Sequence, residues 1–154
     1  MDIFTEKIPV GQKLISQGRT IGEGDFTLLH NLTWNIDPFQ SNKEYMKNTQ
    51  FGERILGGPC VLAIATGLAI STSRWKDIIF QEPIHPVGLL AFESVQFKKP
   101  VMIGDTLTTY SEIVEIQPTS KPNRVVLKVK LELFNQRQEL IMEGYSKELV
   151  AVKE

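Results

Sequence analysis

With 154 residues, 42% of them hydrophobic and 23% charged, the chain has the size and balance of one globular domain with a core of its own. A net charge of −1 and a pI near 6.2 leave no electrostatic footprint for nucleic acid. The single cysteine, Cys60, excludes an internal disulfide and a thiolate cluster for a metal.

The opening "MDIFTEKIPVG" carries acids early and no apolar segment, so it does not read as a signal peptide. The most apolar run, "CVLAIATGLAI", is too short to span a bilayer, and a soluble cytoplasmic protein with no membrane partner is expected. No internal repeat or linker-like tract divides the chain, so residues 1–154 are read as one domain. Residues 13–21, "KLISQGRTI", predict a short strand. Asp25 is placed to cap a helix through "FTLLHNLTW", where Phe26, Leu29 and Trp34 recur near helical spacing. Ser41, with Glu44 three residues on, predicts a capping box for a second helix in "SNKEYMKNT".

Gly57 and Gly58 then precede Pro59, a residue suited to a first helical turn because its missing N–H would have had no partner there. From Cys60 to Ile70 the residues are apolar or small on every side, which predicts a helix enclosed all round, with Leu62 and Ile64 among its wrapped residues. After the loop "QEPIHPVG" the period becomes that of strands: "GLLAFESVQF", "TLTTYSEIVEI", "RVVLKVKLELF" and "ELIMEGYSKELVAV". Val125, Leu127, Val129, Leu131 and Leu133 alternate with Lys128, Lys130 and Glu132. Four consecutive strands joined by short turns predict an antiparallel meander with one wet face. Its dry face needs a cover, and the apolar helix is the element suited to it. The expected class is α+β, a long antiparallel sheet wrapped around a central buried helix.

That architecture is the hot-dog fold, and the motifs inside it resemble those of the MaoC-like dehydratases, which include the (R)-specific enoyl-CoA hydratases. The family signature runs Asp, x-Asn-Pro, an aliphatic residue and His, then "FG", "HG" and the central helix. Here it reads Asn35-Ile36-Asp37-Pro38-Phe39-Gln40, then Phe51-Gly52, then Gly57-Gly58. The resemblance extends through "FESVQFKKPVMIGDTL" and "LFNQRQELIMEGYSKELV" and covers nearly all the chain after residue 12. It implies an acyl-thioester protein of fatty acid metabolism, acting on acyl-CoA or an acyl carrier protein, without cofactor or metal, and a homodimer built by joining sheet edges. By the same resemblance the catalytic positions are Asn35 and Gln40, and Gly58, Gly57 and Asp37 belong to the substrate site.

The chemistry explains why the residue types matter. Hydrating a 2-enoyl thioester needs a base to deprotonate water attacking C3 and an acid to protonate C2, roles an Asp and a His can share through one water. The enolate oxygen needs donors, which backbone N–H groups at a helix N-terminus supply. Gly58 keeps that half of the site. Asn35 and Gln40 hydrogen-bond but do not titrate near neutral pH.

The other candidates have plainer readings beside the chemical one. His30 reads as a structural or surface histidine. His85, between Pro83 and Pro86, reads as a solvated loop residue, or as a base reaching over the pocket. Cys60 reads as buried packing, although a helix N-terminus can lower a thiol pKa. Asp37 fits turn chemistry as well as catalysis. Glu53 is a second proton carrier to weigh, and Lys98 and Lys99 are either a solvated turn or phosphate contacts. Three functions remain open: an enzyme on acyl thioesters, a non-catalytic thioester-binding protein, and a structural subunit paired with an active hot-dog partner.

Overall fold

The computed structural model describes residues 2–72 and 75–153. Helix α1 (Ile3–Lys7), β1 (Lys13–Ile15) and β2 (Arg19–Thr20) lead into α2 (Glu23–Thr33), and the short helices α3 (Pro38–Ser41) and α4 (Lys43–Lys47) follow. Next come the central helix α5 (Gly58–Thr72) and α6 (Trp75–Ile79). The strands β3 (Ile84–Phe97), β4 (Thr106–Pro118), β5 (Arg124–Phe134) and β6 (Leu140–Val152) complete the chain.

The sheet is antiparallel in the order β1-β4-β5-β6-β3, and β2 also pairs with β4. The predicted meander therefore holds for β4, β5 and β6 but not for β3, which lies beyond β6 with Phe92 opposite Ser146. Residues 98–105 carry the chain from that edge to the other side of the sheet. On the way, the Val101 carbonyl accepts the Leu56 N–H at 2.8 Å and ties the crossing to the start of α5. The alternation in β5 is as predicted: Val125, Leu127, Val129, Leu131 and Leu133 are buried, and each intervening residue is half-buried. Among the described residues no helix is long and apolar enough to cross a membrane.

Two helix starts differ from the sequence prediction. α2 begins at Glu23 with Gly22 as its cap, and the Asp25 carboxylate reaches back to accept the Gly22 N–H at 3.0 Å. Ser41 ends α3 instead of starting a helix; Asp37 caps α3, and Asn42 caps α4 by accepting the Tyr45 N–H at 2.9 Å. At α3 and α4 the side chains of Asp37 and Asn42 satisfy an orphan donor of the first turn, whereas at α2 Gly22 offers none and Asp25 takes only the cap's own N–H.

α5 is not enclosed on all sides. Val61, Ala65, Leu68 and Ala69 face the sheet and are buried, while Leu62 and Ile64 are half-buried. Pro59, Ala63, Gly67 and Ile70 line one exposed stripe. A stripe without polar side chains needs cover too, and within one chain the sheet reaches only the opposite one.

Candidate functional site

The predicted site residues gather where the C-terminal end of α2 and the α3 turn meet the first turn of α5. Gly57 is the pivot. Its carbonyl accepts the Val61 N–H at 3.0 Å to open the helix, and its own N–H donates to His30 Nε2 at 3.0 Å. The Asn35 amide lies against its Cα. A Cβ on residue 57 would stand 2.1 Å from Asn35 Nδ2 and 3.5 Å from His30 Nε2, so glycine is the residue this packing admits. Asn35 Nδ2 is buried and has no acceptor.

Gln40 and Asp37 form a capping box at the start of α3. The Gln40 Oε1 accepts the Asp37 N–H at 3.1 Å, and the Asp37 carboxylate accepts the Phe39 N–H at 2.7 Å. Gln40 Nε2 points to the Ile55 carbonyl at 3.5 Å. Gln40 is buried and engaged in backbone support, and Asp37 is exposed and performs cap chemistry. Of the two readings of Asp37, the turn reading describes its contacts.

Gly58 opens on a different cleft, of about 340 Å³, lined by Phe51, Ile55, Val61 and Phe97 and rimmed by Lys98 and Lys99. Its Cα faces the Phe97 ring, 3.1 Å from where a Cβ would sit. No acceptor among the described residues takes the Gly58 N–H. It is one of the orphan donors of the first turn of a 15-residue helix, at the positive end of the helix dipole. The cations at the rim are already engaged: Lys98 contacts Gln96 at 2.5 Å and Glu143 at 3.5 Å, and Lys99 pairs with Glu139. Hydrogen bonds from Lys99, Asn135 and Arg137 hold the Glu139 carboxyl down at about 2.

His30, read from the sequence as a structural or surface histidine, is the structural one: its partner is what the sequence did not show. It is 3% exposed, stacked edge-on against Phe26 at 4.4 Å, and lines a smaller cleft with Gln40, Ile36 and Arg54. Because Nε2 accepts from Gly57, the ring proton sits on Nδ1, which has no partner of full hydrogen-bond geometry. Burial holds the imidazole below the usual histidine range; the Phe26 carbonyl and the Asp37 charge oppose this, and Arg54 reinforces it. Arg54 in turn is fixed by Glu23, with its two terminal nitrogens 3.0 and 2.6 Å from the carboxylate oxygens. Spacing alone gave no sign of this, since residues 30 and 57 meet only through the packing of two helices.

His85 is corrected from loop to strand. It sits in β3 opposite Ala151, with Nδ1 buried and unpartnered. Phe97, at the Gly58 cleft, is twelve residues along the same strand, which at about 3.3 Å per residue separates the two by more than roughly 30 Å. His85 is not the base of a reaction at Gly58 of the same chain. Glu53 is exposed, and Cys60 is fully buried as the packing reading held. A further titratable group missed in the sequence is Glu148, on the helix-facing side of β6 beside Ala69 and Ile70, where burial raises its carboxyl pKa against the hydrogen bond from Ser146. Among the described residues no group of three or more His, Cys, Asp or Glu side chains could hold a metal ion.

The contact at Gly57 has a measurable consequence. Gly57→Ala should destabilise the fold by about 1–3 kcal/mol, the usual cost of overpacking, in chemical denaturation. The further change Asn35→Ala should return most of that loss. Additive losses in the double variant would mean that the two residues do not share the space.

Comparison with known proteins bears on the family and the fold. The model of the family described as the MaoC like domain matches residues 6–133. The chain is 30% identical over 118 residues to an (R)-specific enoyl-CoA hydratase of Rhodospirillum rubrum, covering 77% of this chain and 74% of that protein. A crystal structure of an Archaeoglobus fulgidus protein described as a monoamine oxidase regulatory protein superposes with a TM-score of 0.83 at 30% identity, over 97% of this chain and 94% of the other. The R-hydratase PhaJ1 of Pseudomonas aeruginosa gives a TM-score of 0.69 at 26% identity, over 97% and 85%.

Proposed function

Because the chain belongs to the MaoC-like domain family, we propose that it binds acyl thioesters of coenzyme A or acyl carrier protein at the N-terminus of α5, on a hydratase frame that lacks the usual proton-transfer pair. The observation that carries this is the free Gly58 N–H, which opens on an apolar cleft ringed by Phe51, Ile55, Val61 and Phe97. A thioester carbonyl in that cleft meets a donor already oriented along the helix dipole, the arrangement that stabilises an enolate oxygen. The apolar walls take the acyl chain. Asn35 and Gln40 stand at the positions matching the family's Asp and His; neither amide exchanges protons near neutral pH, and Gln40 is committed to the α3 cap. The reading is therefore a binder of enoyl and 3-hydroxyacyl thioesters with little hydratase or dehydratase turnover.

The partner copy follows from β3. Among the described residues it pairs only with β6, and its outer edge exposes Val87, Leu89, Leu90 and Phe92. An unpaired apolar edge wants another strand, and a homodimer joined there brings a second helix to the open stripe of α5. A subunit of this kind working beside an active hot-dog partner is the second reading, favoured by the same edge. A cytoplasmic location fits both.

The test is to incubate the purified protein with a panel of acyl-CoAs, reading bound mass by native mass spectrometry and turnover by loss of the enoyl thioester absorbance. Bound crotonyl-CoA and 3-hydroxybutyryl-CoA with turnover near the uncatalysed rate is the expected result. Brisk turnover would overturn the assignment of Asn35 and Gln40, and no binding at all would overturn the thioester site. Light scattering should give twice the chain mass at micromolar concentration, and a stable monomer would refute the edge pairing.

A further inference from the structure

We propose that His30 is a positioning residue that clamps the Gly57 amide, so that protonation of its imidazole weakens thioester binding at the neighbouring Gly58 amide. The inference deepens the proposed function and rests on it. The Gly57 N–H has a single acceptor, His30 Nε2, at 3.0 Å in a buried contact. Gly57 is the residue from which α5 starts, and the orientation of the Gly58 N–H is set by the Gly57–Gly58 peptide plane. Only the neutral ring offers a lone pair at Nε2. In the imidazolium both nitrogens are donors, so an N–H would face an N–H across the same gap and the clamp would open.

The surroundings allow no easy alternative. Gly57 cannot shift toward Asn35, whose amide already stands where a Cβ would be. The charged groups that bear on the ring are Asp37 from the α3 cap and Arg54 from the segment before α5, with Glu23 holding Arg54 in place. Burial resists protonation more strongly than Asp37 favours it. His30 does not itself reach the reacting atoms: Nε2 is occupied by the backbone and Nδ1 faces its own helix. It acts through Gly57.

The sign on stability follows. As pH falls through about 6.5 the unfolded chain takes up a proton that the folded ring resists, so the fold loses stability on the acid side and retains it above that value.

The experiment uses the whole protein and two variants, His30→Gln, whose Oε1 keeps an acceptor near the Nε2 position without titrating, and His30→Ala, which removes it. Affinity is measured by calorimetry with butyryl-CoA, which has no double bond to hydrate, from pH 8 to pH 5. The same titration is repeated by NMR with the butyryl thioester of N-acetylcysteamine, which carries no phosphate of its own to titrate. Wild type should lose affinity steeply on the acid side, approaching about tenfold per pH unit once the ring titrates. The Gln variant should bind within a few-fold of wild type at pH 8 and lack that slope, and the Ala variant should bind more weakly at every pH. In the wild-type spectrum the Gly57 amide should titrate together with the His30 imidazole. Equal slopes in wild type and the Gln variant, or a Gly57 amide indifferent to the imidazole, would overturn the clamp. Failure of wild type to bind either thioester at pH 8, while the Gly57 amide still follows the imidazole, would instead overturn the thioester site on which the proposal rests.

Discussion

Changing Asn35 to Asp and Gln40 to His together should raise crotonyl-CoA hydration about 10²-fold or more above the unchanged chain, since a positioned acid or base is worth ~10²–10⁴. Each single change should do far less, because the two groups act on one water and such effects are not additive. The local structure helps one half of this and burdens the other. Asn35 Nδ2 is a buried donor without an acceptor, so a carboxylate oxygen there removes an unsatisfied donor. Gln40 is harder to replace, since its Oε1 supports the Asp37 N–H and its Nε2 faces the Ile55 carbonyl. An imidazole must take over the first of those bonds if α3 is to stay in place. The assay is the decay of enoyl thioester absorbance after mixing with each variant. A folded double variant no faster than the single ones would show that the pocket no longer holds water and thioester in hydratase geometry.

Leu68→Ala should cost about 2–5 kcal/mol in chemical denaturation, as truncation of a buried leucine does. Leu68 is 5% exposed and faces the sheet from α5, beside Val61 and Ala65 in the same buried cluster. Ile70, on the same helix but 47% exposed, should cost under about 0.5 kcal/mol when the chain is dilute enough to be single. The contrast tests which stripe of α5 meets the sheet. A loss below about 0.5 kcal/mol for Leu68 would mean the helix is not the core of the fold.

The strand residues were legible because strict alternation leaves one solution: in β5 the same five residues that alternate in sequence are the ones buried. Pairing was less legible, since periodicity says which face a residue takes but not which strand lies beside it. β3 therefore went to β6, not to β4. The central helix was found from composition, and its open stripe was not, because the residues on that stripe are as apolar or as small as those on the buried one. The site divides the same way. The family resemblance pointed to Asn35, Gln40, Gly57 and Gly58, which the fold brings to one end of α5, and the local cap of Asp37 was readable from the turn it sits in. His30 was not, because its partner is twenty-seven residues away and the contact exists only once α2 lies across the first turn of α5.

The crowding at Gly57 also constrains how such a site can change over generations. A side chain at residue 57 collides with the Asn35 amide and crowds the His30 ring, so the three positions are epistatic. A chain acquiring a histidine at 57 must first vacate the space held by Asn35, and until His30 changes its ring still claims the 57 amide. The order of substitutions is thereby restricted: residue 35 moves before residue 57. Single steps in the opposite order pass through an overpacked, destabilised intermediate.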